Sequence, residues 1–419
     1  MAILLAIVAA VFVTVIVMNL STGEKKIKRT ITSLYGTDDP QFVRAMGSLL
    51  GPALLPGNEV RQMLNGDEIF PSMLEAIRGA KTSITFETFI FWSGQIGEQF
   101  SEALTERARQ GVSVHVLLDW VGTGKIDKSY TRSMEKAGVE VERYHPLRWY
   151  NVGRLNNRTH RRLLVIDGRI GFTGGVGIAD NWLGHAESAD HWRDSHFRVE
   201  GPVVAEMQSA FMDNWVKTKA EVLHGDRYFP ELKPNGNHFA QLFKSSQSEG
   251  SESARLMYML AITSARKSLQ IASAYFVPDD LALETIVAAR KRGVEIDLIV
   301  PGTKIDTEIT RKASRSRWGP LLEAGVRIHE YQPTMFHCKV MIVDEIFVSV
   351  GSTNFDSRSF RLNDEANLNI YDREFAALPV QAFRDDLTQA REVTFEEWKN
   401  RPLREKIVEK AAGLLRSQL

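Results

Sequence analysis

The feature that most limits what this chain can fold into is an internal repeat. Residues 76–89 (AIRGAKTSITFETF) return as 261–274 (AITSARKSLQIASA), and 107–118 (RARQGVSVHVLL) return as 289–300 (ARKRGVEIDLIV). Residues 135–146 (EKAGVEVERYHP) match 322–333 (LEAGVRIHEYQP), and 160–167 (HRRLLVID) match 337–344 (HCKVMIVD). Four segments in the same order make two copies of one supersecondary unit. The gap before the last segment is longer in the first copy, which places an insertion around 147–156 (LRWYNVGRLN). Each copy alternates helix-period and strand-like stretches, and Gly111 and Gly293 stand where helices should end. This pattern predicts an α/β fold of two pseudo-twofold-related halves, each a mixed β-sheet flanked by helices. The expected boundaries are 59–219 for the first half, 220–237 for a polar, Pro- and Gly-bearing linker, and 238–419 for the second half.

The last repeated segment carries the chemistry. His160 and Arg162 precede Asp167 in one copy, and His337 and Lys339 precede Asp344 in the other. The intervening LLVI and VMIV are strand-like, so each histidine should share a face with the cation two residues on. Two such faces meeting about a twofold axis would make one cleft with two imidazoles and two cations. That set suits a phosphodiester: the cations neutralise the non-bridging oxygens, one histidine attacks phosphorus and the other protonates the leaving oxygen. The residue pattern alone is symmetric and does not say which histidine attacks. Small residues after each strand, Gly174 and Gly175, then Gly351 and Ser352, are expected to let backbone N–H groups approach the phosphate. A histidine on a strand or a glycine after one is common for structural reasons alone. Joint recurrence of His, cation, Asp and small residues inside a longer repeat favours the catalytic reading. No metal or cofactor is required.

These paired motifs resemble the HxKxxxxD signature of the phospholipase D superfamily, and the chain is more closely similar to the bacterial cardiolipin synthases. Residues 65–77, 87–91, 117–122 and 192–204 support the closer match, and the likeness covers roughly 59–400. The resemblance implies a membrane-bound phosphatidyltransferase that joins two phosphatidylglycerol molecules into cardiolipin, with glycerol released and a phosphohistidine intermediate. It implies His160, Arg162 and Asp167 in one half-site and His337, Lys339, Asp344 and Asn354 in the other. It also implies His160 as nucleophile, and an acid downstream of each motif, Asp194 and Glu365, orienting that motif's histidine. Two departures stand out: Arg162 replaces the usual Lys, and Gly177 replaces an Asn that the second half keeps as Asn354. The motif does not separate transfer to a lipid from hydrolysis by a phospholipase D or a nuclease. A non-catalytic scaffold binding anionic lipid is a third reading, which the two intact histidines oppose.

The N-terminus differs from the rest. Residues 2–18 are apolar except for Thr14, long enough for a membrane-spanning helix, and no Lys or Arg precedes them as in a signal peptide. The expected anchor is 2–20, followed by a juxtamembrane segment 21–58. Lys25, Lys26, Lys28 and Arg29 would hold the remainder on the cytoplasmic side of a bacterial membrane. Residues 46–57 (MGSLLGPALLPG) read either as a loop packed on the domain or as a strip in the membrane interface. With 52 basic and 52 acidic residues the formal charge is zero, which disfavours nucleic acid as partner. The single Cys338 excludes an intramolecular disulfide and a Cys-rich zinc site. His185, His191 and His196 lack a metal-binding frame. Residues 147–150 with Arg154 and Arg158 fit either a lipid-contacting rim or a surface loop, and 311–318 (RKASRSRW) reads as the solvated face of a helix. No partner protein is deducible.

Overall fold

A computed structural model describes residues 1–20, 27, 31–32, 35–146, 156–246, 253–416 and 418. The cations 25, 26, 28 and 29, the run 147–150 and Arg154 fall outside these. The first half contributes strands β1 (Leu55–Leu64), β2 (Ser83–Thr88), β3 (Ser113–Asp119), β4 (Glu140–Tyr144), β5 (Leu163–Ile166), β6 (Ile170–Gly174) and β7 (Ser195–Glu200). The second contributes β8 (His238–Ser245), β9 (Ser268–Ser273), β10 (Phe276–Val277), β11 (Glu295–Pro301), β12 (Arg327–Tyr331), β13 (Lys339–Val343), β14 (Phe347–Gly351), β15 (Phe355–Asp356), β16 (Glu365–Tyr371) and β17 (Ala390–Glu392).

The strand order displays the duplication. Outward from the centre, the first half runs β1-β7-β6-β5-β2-β3-β4 and the second β8-β16-β14-β13-β9-β11-β12-β17. The two series join where β1 pairs antiparallel with β8, Leu55 opposite Ala240 and Asn58 opposite His238. In each half the two outer repeat strands are parallel, β2 to β3 and β9 to β11. The motif strands β5 and β13 run antiparallel to β2 and β9. Parallel pairing needs a helical crossover, and Gln95–Arg109 and Asp280–Lys291 supply it. Gly111 (φ +87°) and Gly293 (φ +97°) follow these helices in left-handed backbone, as their places in the sequence predict.

Each half has its own outer core, one around Phe70, Phe86, Phe100 and Val116, the other around Leu260, Ile271, Ile286 and Leu298. A third core lies between the halves, where Leu163, Val165 and Phe197 meet Leu242, Ile342, Val348 and Leu368. Helices Val204–Lys219 and Arg373–Thr388 add Met207, Ala210, Phe375 and Val380 to it. Burial of so many large aliphatic side chains, about 1.5–3 kcal/mol each, makes the halves one unit rather than two beads on a linker.

Two boundaries differ from expectation. The first half's sheet starts at Leu55, inside the segment assigned to the membrane side. Helix Pro40–Leu50 buries Phe42 and Met46 in the second half's core, and Leu50 and Leu54 pack partly against it, while Leu49 is exposed. Residues Ala2–Leu20 form a helix whose described side chains, such as Ile3, Leu4 and Phe12, are exposed. Among the described residues no helix is long and apolar enough to cross a membrane.

Candidate active site

Each motif histidine sits just ahead of its strand, at the seam between the halves. The His160 backbone N–H donates to the Asp364 carbonyl (2.8 Å), and that of His337 donates to the Arg193 carbonyl (2.8 Å). Short parallel bridges flank these bonds, Thr159 to Asp364 and Arg193 to Phe336. The seam therefore ties each histidine to the segment that carries an acid of the opposite half.

The acids are consequently crossed. Nδ1 of His160 lies 3.0 Å from both carboxylate oxygens of Glu365, in the second half. Nδ1 of His337 lies 2.7 Å from Oδ2 of Asp194, in the first half. The expected assignment of each acid to its own motif's histidine is corrected by this geometry. Both carboxylates are fully buried and held by further donors. Glu365 accepts from Ser352 Oγ (2.5 Å); Asp194 accepts from the Trp182 indole N–H (2.9 Å) and the Ser195 backbone N–H (2.8 Å).

The cations share the histidine faces as predicted. Arg162 donates through Nη1 to the His160 carbonyl (2.8 Å), and its Nη2 lies 3.1 Å from His160 Nε2. Lys339 Nζ donates to the His337 carbonyl (2.6 Å) and lies 3.1 and 3.3 Å from the two ring nitrogens. A guanidinium has no lone pair to offer. His160 Nε2 is therefore the acceptor and the proton resides on Nδ1, against Glu365. Burial first, then the adjacent Arg162, lowers the His160 pKa to about 4. Burial and Lys339 lower His337 to about 3. Both imidazoles are thus neutral at pH 7. Burial raises Asp194, but His337 and Lys339 outweigh it and hold the carboxyl below its ordinary range. Desolvation brings Lys339 down to about 8, which leaves it mostly charged at neutral pH.

Asp167 and Asp344 lie elsewhere. They follow the far ends of β5 and β13, roughly 20 Å from the histidines at about 3.3 Å per residue. Asp167 accepts from the backbone N–H groups of Lys81 (2.9 Å), Thr82 (2.7 Å) and Ser83 (3.0 Å). Asp344 accepts likewise from Arg266 (2.9 Å), Lys267 (2.7 Å) and Ser268 (3.0 Å), and from the Thr37 hydroxyl (2.5 Å). Their expected place in the half-sites is corrected: the motif aspartates bind the turns that start β2 and β9.

The small residues also have another task. The backbone N–H groups of Gly175 and Ser352 are taken by the Ser195 and Ala366 carbonyls (3.1 and 3.0 Å), so neither is offered to a phosphate. A Cβ on Gly175 would stand 2.1 Å from Asp194 Oδ1, and one on Gly351 2.3 Å from the Ala366 carbonyl. Gly174 ends β6 with its backbone against His196. These residues allow the carboxylate-bearing strands to approach closely. Asn354 fits its expected place: it lines the cleft, and its buried Oδ1 has no hydrogen-bond partner among the described residues. The matching Gly177 is filled in, since a Cβ there would lie 2.8 Å from Ile90 Cβ and 3.2 Å from the Trp182 ring.

Reading the sequence missed Arg161 and Arg193, each next to a motif or acid residue. Arg161 is fully buried and donates to carbonyls of both halves, Ala210 (2.7 Å), Ser245 (3.2 Å) and Glu365 (3.3 Å), and to Asp213 (3.0 Å). Arg193 binds the buried Asp386 through two bonds of 2.8 and 2.9 Å. A lone basic residue within a basic or mixed run gives no sign of burial. His160 opens onto a cleft of about 680 Å³, lined also by Phe89, Trp92, Lys125, Trp192 and Arg358. His185 and His191 sit by Asp67 and Glu187, and His196 is buried. The run 311–318 is not a solvated face: Trp318 is buried, and Arg311 and Arg315 pair with buried Glu330 (2.7 and 3.0 Å).

Two duplicated α/β halves that meet around paired His-x-Lys/Arg segments define a phospholipase D-like protein. The chain matches the family described as cardiolipin synthase, PLD-like domain, at residues 73–215 and 258–387. It is 36% identical over 360 residues to "Cardiolipin synthase 2" of Bacillus anthracis, covering 85% of this chain and 70% of the relative. It is also 36% identical over 360 residues to "Cardiolipin synthase" of Geobacillus sp. (strain WCH70), covering 85% and 72%. The chain belongs to the cardiolipin synthase family. The crystal structure of phosphatidylserine synthase from Haemophilus influenzae Rd KW20 shares the fold, with a TM-score of 0.69 at 15% identity over 90% of this chain and 100% of that one.

Proposed function

We propose that the chain transfers a phosphatidyl group from one phosphatidylglycerol to the hydroxyl of another, making cardiolipin and releasing glycerol. The observation that carries this reading is the crossed cleft: two buried neutral imidazoles, each backed by a carboxylate and beside a cation, in a member of this family. The phosphodiester lies between Arg162 and Lys339, whose charges offset its own and the negative charge that grows in the transition state. Nε2 of His160, unprotonated and in contact with Arg162, exchanges that contact for phosphorus as Arg162 turns to the phosphate; the N–P bond forms as the bond to the glycerol oxygen breaks. His337, protonated as the anionic substrate offsets the neighbouring cations, gives that proton to the leaving glycerol. Asp194 stabilises the imidazolium meanwhile. In the second step a hydroxyl of the acceptor lipid attacks phosphorus, His337 takes its proton, and the N–P bond breaks. Asn354 and Asn363, each with an unpaired amide oxygen and both lining the cleft, are placed to orient the acceptor hydroxyl.

Lipid substrates call for a membrane location, and in this reading the apolar residues 2–20 anchor the chain there, with the cations 25, 26, 28 and 29 and the catalytic region on the cytoplasmic side. Incubation of the full chain with labelled phosphatidylglycerol, followed by separation of the lipids, tests the reading. Cardiolipin with stoichiometric glycerol is the expected product. Phosphatidic acid as main product would establish water as the acceptor and replace transfer by hydrolysis.

A further inference from the structure

Far from the histidines in sequence, the helix Leu403–Gly413 packs on the helix Glu308–Arg315 and carries an uneven surface. Glu409 and Ala412 are buried beneath it, and Gly413 is so close to Ser316 that a Cβ would stand 2.8 Å from Oγ. On the opposite side Leu403, Ile407 and Leu414 are 72%, 60% and 81% exposed. Spacings of four and seven residues put the three in one stripe along the helix and its last turn. Lys406 and Lys410 flank that stripe.

The same helix walls a pocket of about 570 Å³ whose charged lining is basic throughout: Arg317, Lys399, Arg401, Lys406, Lys410 and Arg416. Two of the nearby acids are engaged, and Glu405, exposed in the first turn of the helix, is not among the pocket's lining residues. Asp280 pairs with Arg317 (2.5 Å) and Arg416 (3.1 Å), and Glu409 with Arg315 (3.0 Å) and Arg401 (2.7 Å). Lys399, Lys406 and Lys410 have no ion pair among the described residues. In a chain of zero formal charge this is a local concentration of positive charge. The segment then leads to the catalytic cleft: Gln418 lines it beside His160 and is held by Asn156 (2.8 Å) and Arg358 (3.3 Å).

We infer that the helix Leu403–Gly413 and its basic pocket form a membrane-docking site for anionic lipid, seating the mouth of the cleft on the bilayer. The stripe of Leu403, Ile407 and Leu414 enters the acyl boundary. Lys406, Lys410 and Lys399 take the phosphodiester headgroups of lipids that are not being turned over. Exposed apolar side chains beside lysines let hydrophobic insertion and headgroup attraction add at a membrane interface. This goes beyond the transfer reading, and rests on it only in taking the substrate to be a bilayer lipid.

The test uses the full chain in nanodiscs of phosphatidylcholine alone or with phosphatidylglycerol. Ile407→Cys is labelled with an environment-sensitive dye; the native Cys338 is buried and does not compete. In phosphatidylglycerol discs the dye emission shifts to the blue and is shielded from iodide, relative to phosphatidylcholine discs. Lys406→Glu with Lys410→Glu, in the labelled background, removes this difference. At about fivefold per lysine near an anionic surface, the docked state weakens at least about 25-fold. Turnover of a soluble nitrophenyl phosphodiester by each variant reports that the fold and the chemistry persist. Equal emission and quenching in the two discs would overturn the inference. So would inorganic phosphate producing the same shift in phosphatidylcholine discs, since the pocket would then be a site for free anions. Absence of cardiolipin formation with a normal dye response would count against the transfer reading alone.

Discussion

Replacing Glu365 by Gln should cripple a histidine that lies in the other repeat. Glu365 is fully buried, with His160 Nδ1 3.0 Å from each oxygen and Ser352 Oγ donating at 2.5 Å. The change keeps the shape and removes the charge. A buried hydrogen bond to a charged group contributes about 1.5–3 kcal/mol, so the attack step should slow about 10- to 150-fold. A second effect acts in the same direction. If the new amide N–H turns toward Nδ1, the ring proton moves to Nε2 and the lone pair aimed at phosphorus is lost. The assay is rapid-quench trapping of phosphoenzyme from a nitrophenyl phosphodiester, whose leaving group needs no proton, with peptide mapping of the label. Glu365→Gln should form the His160 adduct slowly. Asp194→Asn should form it at nearly the wild-type rate and pass it slowly to a lipid hydroxyl, because His337 loses its support. Wild-type adduct formation in Glu365→Gln, with loss in Asp194→Asn, would refute the assignment of nucleophile and partner together.

Other consequences can be checked separately. Arg162→Lys should keep appreciable kcat/KM, because an ammonium two residues after the histidine can hold its carbonyl as Lys339 does (2.6 Å), whereas Arg162→Ala should lose about 2–4 kcal/mol of transition-state stabilisation. Asp167→Asn should lower Tm and leave kcat per folded molecule nearly unchanged, since its carboxylate holds three backbone N–H groups remote from the cleft, each bond contributing about 1 kcal/mol. Gly177→Asn, which copies the second half's Asn354, should destabilise by about 1–3 kcal/mol through overpacking against Ile90 and Trp182, read by denaturant unfolding. Burial raises Glu206 from 4.5 to about 8. The folded state therefore holds a proton that the unfolded state has released, and this contribution to stability declines as pH rises from about 4.5 to about 8. Glu206→Gln should flatten that part of the stability–pH curve.

Much of the architecture is legible in the sequence. The repeat fixed the two-half α/β architecture, and the two-residue spacing put Arg162 and Lys339 on their histidines' faces, because both follow from period and order along one strand. The partners of the histidines were not readable in this way. Asp194 and Glu365 could be named, but which ring each meets depends on how the halves dock, and nothing within one repeat encodes that. Asp167 and Asp344 misled for a related reason: a strand that carries its histidine at one end necessarily carries the aspartate away from the cleft. Arg161 went unnoticed and the run 311–318 was misjudged because charge in a sequence suggests solvent, while a buried guanidinium needs partners that only the tertiary fold supplies.

The exchanged carboxylates also bear on how such a protein could arise. Because the Nδ1 contact of each imidazole reaches the other half's acid, a single repeat cannot complete even half of the site by itself. Two identical copies about a dyad can, with each lending its acid to its twin. A homodimer of one repeat would therefore carry both half-sites complete. Within one chain the two copies need not stay identical, and they differ: Arg162 against Lys339, Gly177 against Asn354, Asp194 against Glu365. They also share a common fate, since damage to either repeat is felt at the histidine of its neighbour.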